Sequence, residues 1–344
     1  MRAANPVLQR ELLERWRGRR ATTALTLFLS VLAIALYGLY RLGVTLVRGG
    51  GNAIAPIGMA GPTLGRFLLE SLLFLTLVLV LFVVPAYAAA QIVGERERRT
   101  LPLLQATLLR PWEIVAGKLT AATAWMALLV ISVAPLAAAT MFLGGVTVAD
   151  VLRGVASILI TMIGIGGVAL GISALTRRTT TAVVLTYAVV LALVGGTGAA
   201  ALTSAIIAGS GDTGLQRPPV ALYGNPFYGL ADAANAAIAP GAADILPSPL
   251  SIIAFALPES EVFRGSQFPQ DGGVLFEEQV GAADAGPTWL IVGALYLALG
   301  AVGFGAATWR LRDAAVRPSR RTRRAGRRSA SADHATGSEQ EAPT

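Results

Sequence analysis

Cysteine is absent from this chain of 344 residues, and histidine occurs once, as His334 near the C-terminus. The first absence removes disulfides, thiolate nucleophiles and thiolate metal ligands. The second leaves histidine-based triads, zinc centres and imidazole acid–base chemistry without a residue in the apolar body of the chain. Lysine is as scarce: Lys118 stands alone beside 27 arginines. It follows Gly117, but Leu119 comes where a phosphate-binding loop needs Ser or Thr, and Trp112 stands five residues before Gly117 where that loop has glycine. The chain therefore carries no ATP-binding motif of its own. Charge is sparse as well: 14% of residues are charged against 54% hydrophobic, and the mean hydropathy is +0.62. Those values exclude an ordinary soluble domain.

What the chain has is long apolar sequence. A span of the hydrocarbon core takes roughly 20 residues, and six runs reach that length: Ala21–Tyr40, Phe67–Val93, Leu119–Leu143, Gly154–Leu175, Ala182–Ala208 and Trp289–Trp309. They predict an all-α integral membrane protein with a six-span domain over residues 21–309. The net charge of +8 does not point to nucleic acid, because the arginines gather at the ends of apolar runs. Of the Lys and Arg residues, 22 fall in the N-terminal segment, the connection after span two, the turn after span four and the C-terminal tail, against six in the other connections. That asymmetry places both termini in the cytoplasm. The connection 94–118 is then cytoplasmic and the long one over 210–286 external.

The external connection is acidic and punctuated by Pro and Gly, and fits either a lid of ordered turns or a substrate gate. Its apolar piece Ile245–Leu257 is short and broken by Pro247 and Pro249, which predicts an interfacial or re-entrant segment. Tyr223, Phe227 and Tyr228 around Asn225-Pro226 predict a second interfacial segment. The tail 310–344 passes from an arginine-rich block to Ser, Ala, Asp and Glu, a composition that predicts disorder.

At the N-terminus, Asn5 is a candidate N-cap, Pro6 takes the first helical position, and Leu8, Leu12 and Trp16 recur four apart. With Arg10, Arg15 and Arg17 on other faces, residues 1–20 predict a helix lying in the membrane interface. The connection Gly94–Lys118 reads GERERRTLPLLQATLLRPWEIVAGK. Its five charges, Glu95 to Arg99, force the preceding run out into water. Thr100 is a candidate cap with Pro102 in the first turn, and Leu101, Leu104 and Leu108 then share helical spacing until Pro111 closes the segment. A helix of about two turns is too short to stand alone and needs a docking surface.

The order Glu95-Arg96-Glu97, Thr100-Leu101, a leucine-rich short helix, then Trp112-Glu113-Ile114 and Gly117-Lys118 resembles the loop between the first two membrane hairpins of ABC-2 type transporter permeases. It departs from that family at Arg99 and Pro102, where glycine and an acidic residue are frequent. The resemblance implies a coupling helix in this loop and an elbow helix over residues 1–20. It also implies a second permease subunit, identical or not, and a separate ATP-binding subunit that holds ATP and magnesium, with no cofactor in this chain. Export across a bacterial inner membrane belongs to the same implication. On that basis Glu95, Arg96, Glu97, Thr100, Leu101, Leu104, Leu108 and Glu113 are the candidate partner-binding residues, and Arg10, Arg15, Trp16 and Arg17 belong to the elbow. Glu95 and Glu97 are expected to meet the elbow arginines. The alternative on the same scaffold is a non-transporting membrane anchor or assembly factor; an intramembrane enzyme lacks its nucleophile and base.

Within the spans, Gly164, Gly167 and Gly171 share a face that invites close helix approach, and Gly293, Gly300 and Gly303 recur in span six. Pro85 and Pro135 are expected to kink spans two and three. Glu70, just inside span two, is expected to snorkel outward and pair with Arg66. Spans with so little internal charge favour an apolar or amphipathic substrate, while Thr161, Ser173 and Thr186 are the hydroxyls available to a wetter path. Single cysteines in this cysteine-free chain test the topology: Ala106→Cys and Arg321→Cys should react only from the cytoplasmic side and Asp271→Cys only from outside. External labelling at position 106 would contradict the orientation.

Overall fold

A long apolar run in hydrocarbon has no bonding partner for its amides and carbonyls except its own next turn, so it coils into helix. The computed structural model describes residues 19–49, 60–99, 110–209, 220–234, 246, 248–254 and 288–316, and these residues form helices and turns without a strand. The helices are α1 (Arg19–Gly49), α2 (Ala60–Glu97), α3 (Pro111–Ile131), α4 (Ala134–Met141), α5 (Val148–Leu175), α6 (Thr179–Leu191), α7 (Thr197–Gly209), α8 (Pro226–Ala233), α9 (Pro249–Ala254) and α10 (Thr288–Val316). A π-helical turn, Ala192–Gly196, joins α6 to α7, and a 3-10 turn, Val220–Gly224, leads into α8. Six helical stretches are long and apolar enough to cross a membrane: Thr22–Leu46, Gly61–Glu97, Pro111–Met141, Val148–Leu175, Thr179–Ser204 and Thr288–Asp313. This is the pattern of a multi-pass membrane protein, and each stretch overlaps one predicted span. The expected interfacial helix before Arg19, the expected helix over 100–108 and the tail beyond Val316 lie outside the described residues.

The boundaries shift for local reasons. α5 begins six residues before Gly154 because Thr147 and Asp150 cap it reciprocally: Asp150 N donates to Thr147 Oγ1 at 3.3 Å, and Thr147 N donates to Asp150 Oδ2 at 3.0 Å. The turn before it uses Gly144 and Gly145 at φ of 88° and 71°, and a Cβ on Gly145 would stand 2.3 Å from the Pro62 carbonyl oxygen. At Pro135, where a kink was expected, the helix is interrupted: α3 ends at Ile131, whose carbonyl would have needed the missing Pro135 amide, and α4 restarts at Ala134. α2, by contrast, runs unbroken through Pro85.

α2 and α5 form the centre of the bundle, and α10 packs along α5 through glycine. A Cβ on Gly167 would meet the Gly300 oxygen at 2.5 Å, one on Gly171 the Gly303 Cα at 2.7 Å, and one on Gly164 the Tyr296 oxygen at 2.4 Å. The two backbones are therefore in contact along the seam, as the spacing predicted for α5. Leucines 69, 72, 73 and 77 of α2 pack with Ile158, Met162 and Ile165 of α5 on the other side.

The described part of the long connection over 210–286 packs into the bundle. Tyr228, Leu230, Ala231 and Ala233 of α8 are fully enclosed, and Tyr223 is half-buried, so the aromatic segment expected at an interface packs into the protein. Its polar ends permit this. Asn225 accepts from Phe227 N at 3.0 Å and donates to Val194 O of the π turn at 3.1 Å, and Tyr296 OH donates to Gly224 O at 3.0 Å. Tyr296 lies about 12 Å along α10 from Thr288, so α8 runs from well inside the bundle at Asn225 towards the start of α10. At the top, Asp232 accepts from Trp289 N at 2.8 Å and caps α10; burial pushes its carboxyl above the usual range while the Trp289 and Thr288 amides hold it down. α9, within the apolar piece Ile245–Leu257, packs beside α8 against α2.

The seam can be tested by comparing two glycines. Gly167→Ala overpacks a backbone contact and should cost about 1–3 kcal/mol, lowering the thermal unfolding temperature in detergent by several degrees. Gly305→Ala, where an added Cβ meets nothing within 4 Å, should leave it unchanged.

Candidate functional site

Successive residues on a helix point about 100° apart, so three polar side chains in a row at a helix end can reach three different neighbours. The end of α2 does this with Glu95, Arg96 and Glu97. Just before them, Ile92 N and Val93 N donate to the enclosed Ser173 Oγ of α5 at 3.2 and 3.0 Å, which holds α2 and α5 close. Glu95 Oε1 then accepts from Lys118 Nζ of α3 at 2.7 Å. Arg96 donates to Ala174 O at 3.0 Å and to Thr176 O, the carbonyls at the C-terminal end of α5. Glu97 accepts from Thr179 N at 2.8 Å and from Thr179 Oγ1 at 2.7 Å, at the first residue of α6.

The signs of these charges follow from the helix ends they meet. The carbonyl end of α5 carries partial negative charge and takes a guanidinium; the amide end of α6 carries partial positive charge and takes a carboxylate. Thr179 follows Arg178, whose side chain supplies no cap, so Glu97 caps α6 from a different helix. Lys118 is only 2% exposed beside Glu95. Its compact ammonium on a flexible stem fits where a planar guanidinium would need more donors satisfied, which accounts for the one lysine among many arginines. Arg177 and Arg310 lie near enough to Arg96 for their charges to act on it, so the basic ends of α2, the α5–α6 turn and α10 meet at one end of the bundle.

Beyond Glu97 the helix closes. Arg98 N donates to Gly94 O at 3.0 Å, Arg99 N donates to Arg96 O at 3.2 Å, and Arg99 takes the left-handed conformation at φ 59°. A side chain there costs about 1–2 kcal/mol that glycine would not. On the far side of the hairpin Arg110 is extended, and its N–H donates to the Glu113 carboxylate at 2.8 Å, so Glu113 caps α3.

Of the predicted site residues, Glu95, Arg96 and Glu97 tie α2 to α3, α5 and α6, and Glu113 caps its own helix α3. The described partners of Glu95 and Glu97 are Lys118 and Thr179, where arginines of the N-terminal helix were expected. Thr100, Leu101, Leu104, Leu108, Arg10, Arg15, Trp16 and Arg17 lie outside the described residues. Sequence reasoning passed over Lys118, Ser173, Thr176 and Thr179 as site members. Lys118 had a signal in its uniqueness; the other three are ordinary span-end residues whose partner is 78 or more positions away. Of the hydroxyls named for a wetter path, those of Ser173 and Thr186 are enclosed and bonded to backbone: Ser173 accepts from α2, and Thr186 donates to Ala182 O at 2.7 Å. Among the described residues no cluster of His, Asp or Glu has metal-holding geometry.

No protein-family model and no curated protein matches the sequence.

The Glu95–Lys118 pair can be weighed by a double-mutant cycle. Lys118→Met strands a partly enclosed carboxylate and should cost about 3 kcal/mol, the low end for a buried pair because Glu95 keeps some solvent contact. Adding Glu95→Gln should recover at least half, read by chemical unfolding in detergent; strictly additive costs would show that the pair is not coupled.

Proposed function

We propose that the chain is the membrane-spanning permease subunit of an ATP-driven ABC-2 type transporter, and that its hairpin 94–118 receives movement from a separate ATP-binding subunit. The observation that carries this reading is the triple attachment of Glu95, Arg96 and Glu97 to α3, α5 and α6, directly before the short leucine-rich segment that needs a docking surface. A force applied to that segment would reach four spans through contacts made by three adjacent residues. The left-handed conformation at Arg99 supports the resemblance independently, since the family often has glycine at this position, where glycine is unstrained.

In this reading both termini and the basic end are cytoplasmic, the membrane is a bacterial inner membrane, and a second permease subunit completes the transporter. ATP and magnesium belong to the partner. The substrate is apolar or amphipathic, because the stretches 71–94, 119–149, 154–176, 179–211 and 288–309 contain no Asp, Glu, Lys or Arg. Leu104 and Leu108, four apart, supply the apolar contact with the partner, each burial being worth roughly 1.5–3 kcal/mol. Leu104→Asp with Leu108→Asp should abolish co-purification of an ATPase while the chain still inserts and keeps its labelling pattern. Retention of the ATPase at unmodified yield would refute the assignment.

A further inference from the structure

Glu70 pairs with Arg66 as expected, Arg66 Nε donating to Glu70 Oε1 at 3.2 Å, but it is 3% exposed and not extended to solvent: Ser248 Oγ, just before α9, donates to Glu70 Oε2. Arg66 also donates from its other arm to Ala234 O at 3.2 Å, at the end of α8. One ion pair on α2 thus clasps both the end of α8 and the start of α9. The site lies about 37 Å along α2 from Glu95, at the opposite end of the bundle. Among the described residues, Asp150 of α5 lies near enough for its charge to act on Glu70, and Arg153 of α5 near enough to act on Asp232 of α8.

We propose that Arg66, Glu70 and Ser248 form a latch that holds α8 and α9 as a lid over the outer end of the bundle, and that breaking the latch lets the lid lift. The direction in which the lid faces rests on the proposed function. Three features carry the inference. α8 and α9 have eight and six residues, too short to hold their place without external ties. Within hydrocarbon, apolar packing has no hydrophobic drive, so the position of a short helix there depends heavily on its polar contacts. An apolar residue at 70 would fill the site without desolvating a charge, whereas an ion pair with a hydroxyl regains full hydration when water enters, which makes the contact reversible. The lifted lid would uncover the α5–α10 seam, since Gly229 of α8 lies directly on Val292, where a Cβ on Gly229 would come 2.8 Å from the Val292 Cβ.

The test uses the full-length chain in membranes with Val292→Cys as the sole cysteine, enclosed beneath α8, and a membrane-impermeant maleimide added from outside. Glu70→Ala should raise its labelling rate at least tenfold, and Ser248→Ala, which removes only the hydroxyl, should raise it severalfold. Thr186→Cys, enclosed in α6 away from the lid, should stay unreactive in both backgrounds. Unchanged labelling at position 292 in both variants, or rapid labelling without either, overturns the latch. So does reaction at position 186 in both, since the pair would then support the whole bundle and not a lid. Labelling requires no transport, so this result and the co-purification result succeed or fail separately.

Discussion

Helix ends inside a bilayer leave amides and carbonyls with little to bond except side chains, and the polar residues of this bundle sit where those ends are. Thr147 and Asp150 close the start of α5, and Arg96 its end; Glu97 closes the start of α6, Glu113 that of α3, Asn225 that of α8 and Asp232 that of α10. Three of these are local, made within the first turn. Three others reach across from a distant helix, and these turn a local need into a tertiary link. Because the ends of spans gather at two levels, so do most of the polar links, with Asn225 to Val194 and Tyr296 to Gly224 as the links made deeper in the bundle.

That arrangement gives the bundle two kinds of contact with different mechanical character. Along the middle, α5 and α10 touch backbone to backbone through Gly164, Gly167, Gly171, Gly300 and Gly303. Such a seam admits little sliding, since a displaced carbonyl meets main chain at once. At the ends, the contacts are hydrogen bonds and ion pairs that water can replace. Motion in this fold is therefore most readily made by pivoting elements at their polar ends about a rigid α5–α10 spine. Glu95, Arg96 and Glu97 occupy one set of such ends; Arg66, Glu70 and Ser248 occupy the other.

The sequence revealed the spans because twenty apolar residues are a long signal, and it revealed the glycine face of α5 because a period of three and four survives without knowledge of the partner. It also marked Pro135, where the helix is interrupted. What stayed hidden depended on distant partners. Nothing near Thr179 shows that its cap comes from Glu97, and nothing near Glu70 shows that Ser248 waits 178 residues on. Glu70 was taken for a snorkelling residue because position along a span is visible in sequence and facing direction is not. The aromatics of Tyr223–Tyr228 were read as interfacial from residue type alone; nothing near them shows that Asn225 bonds Val194 of the π turn or that Tyr228 packs inside the bundle.

If the end of α2 is where movement enters the membrane domain, its charge must matter to the partner's chemistry and not only to assembly. The direct measurement is ATP hydrolysis by the complex purified from native membranes into nanodiscs, with and without a panel of amphipathic compounds, for the unmodified chain and for Glu97→Gln. The account predicts stimulated hydrolysis in the first and, in the second, an intact complex whose hydrolysis no longer responds. It is contradicted if the chain purifies with no ATP-hydrolysing subunit, or if Glu97→Gln responds to the compounds as the unmodified chain does.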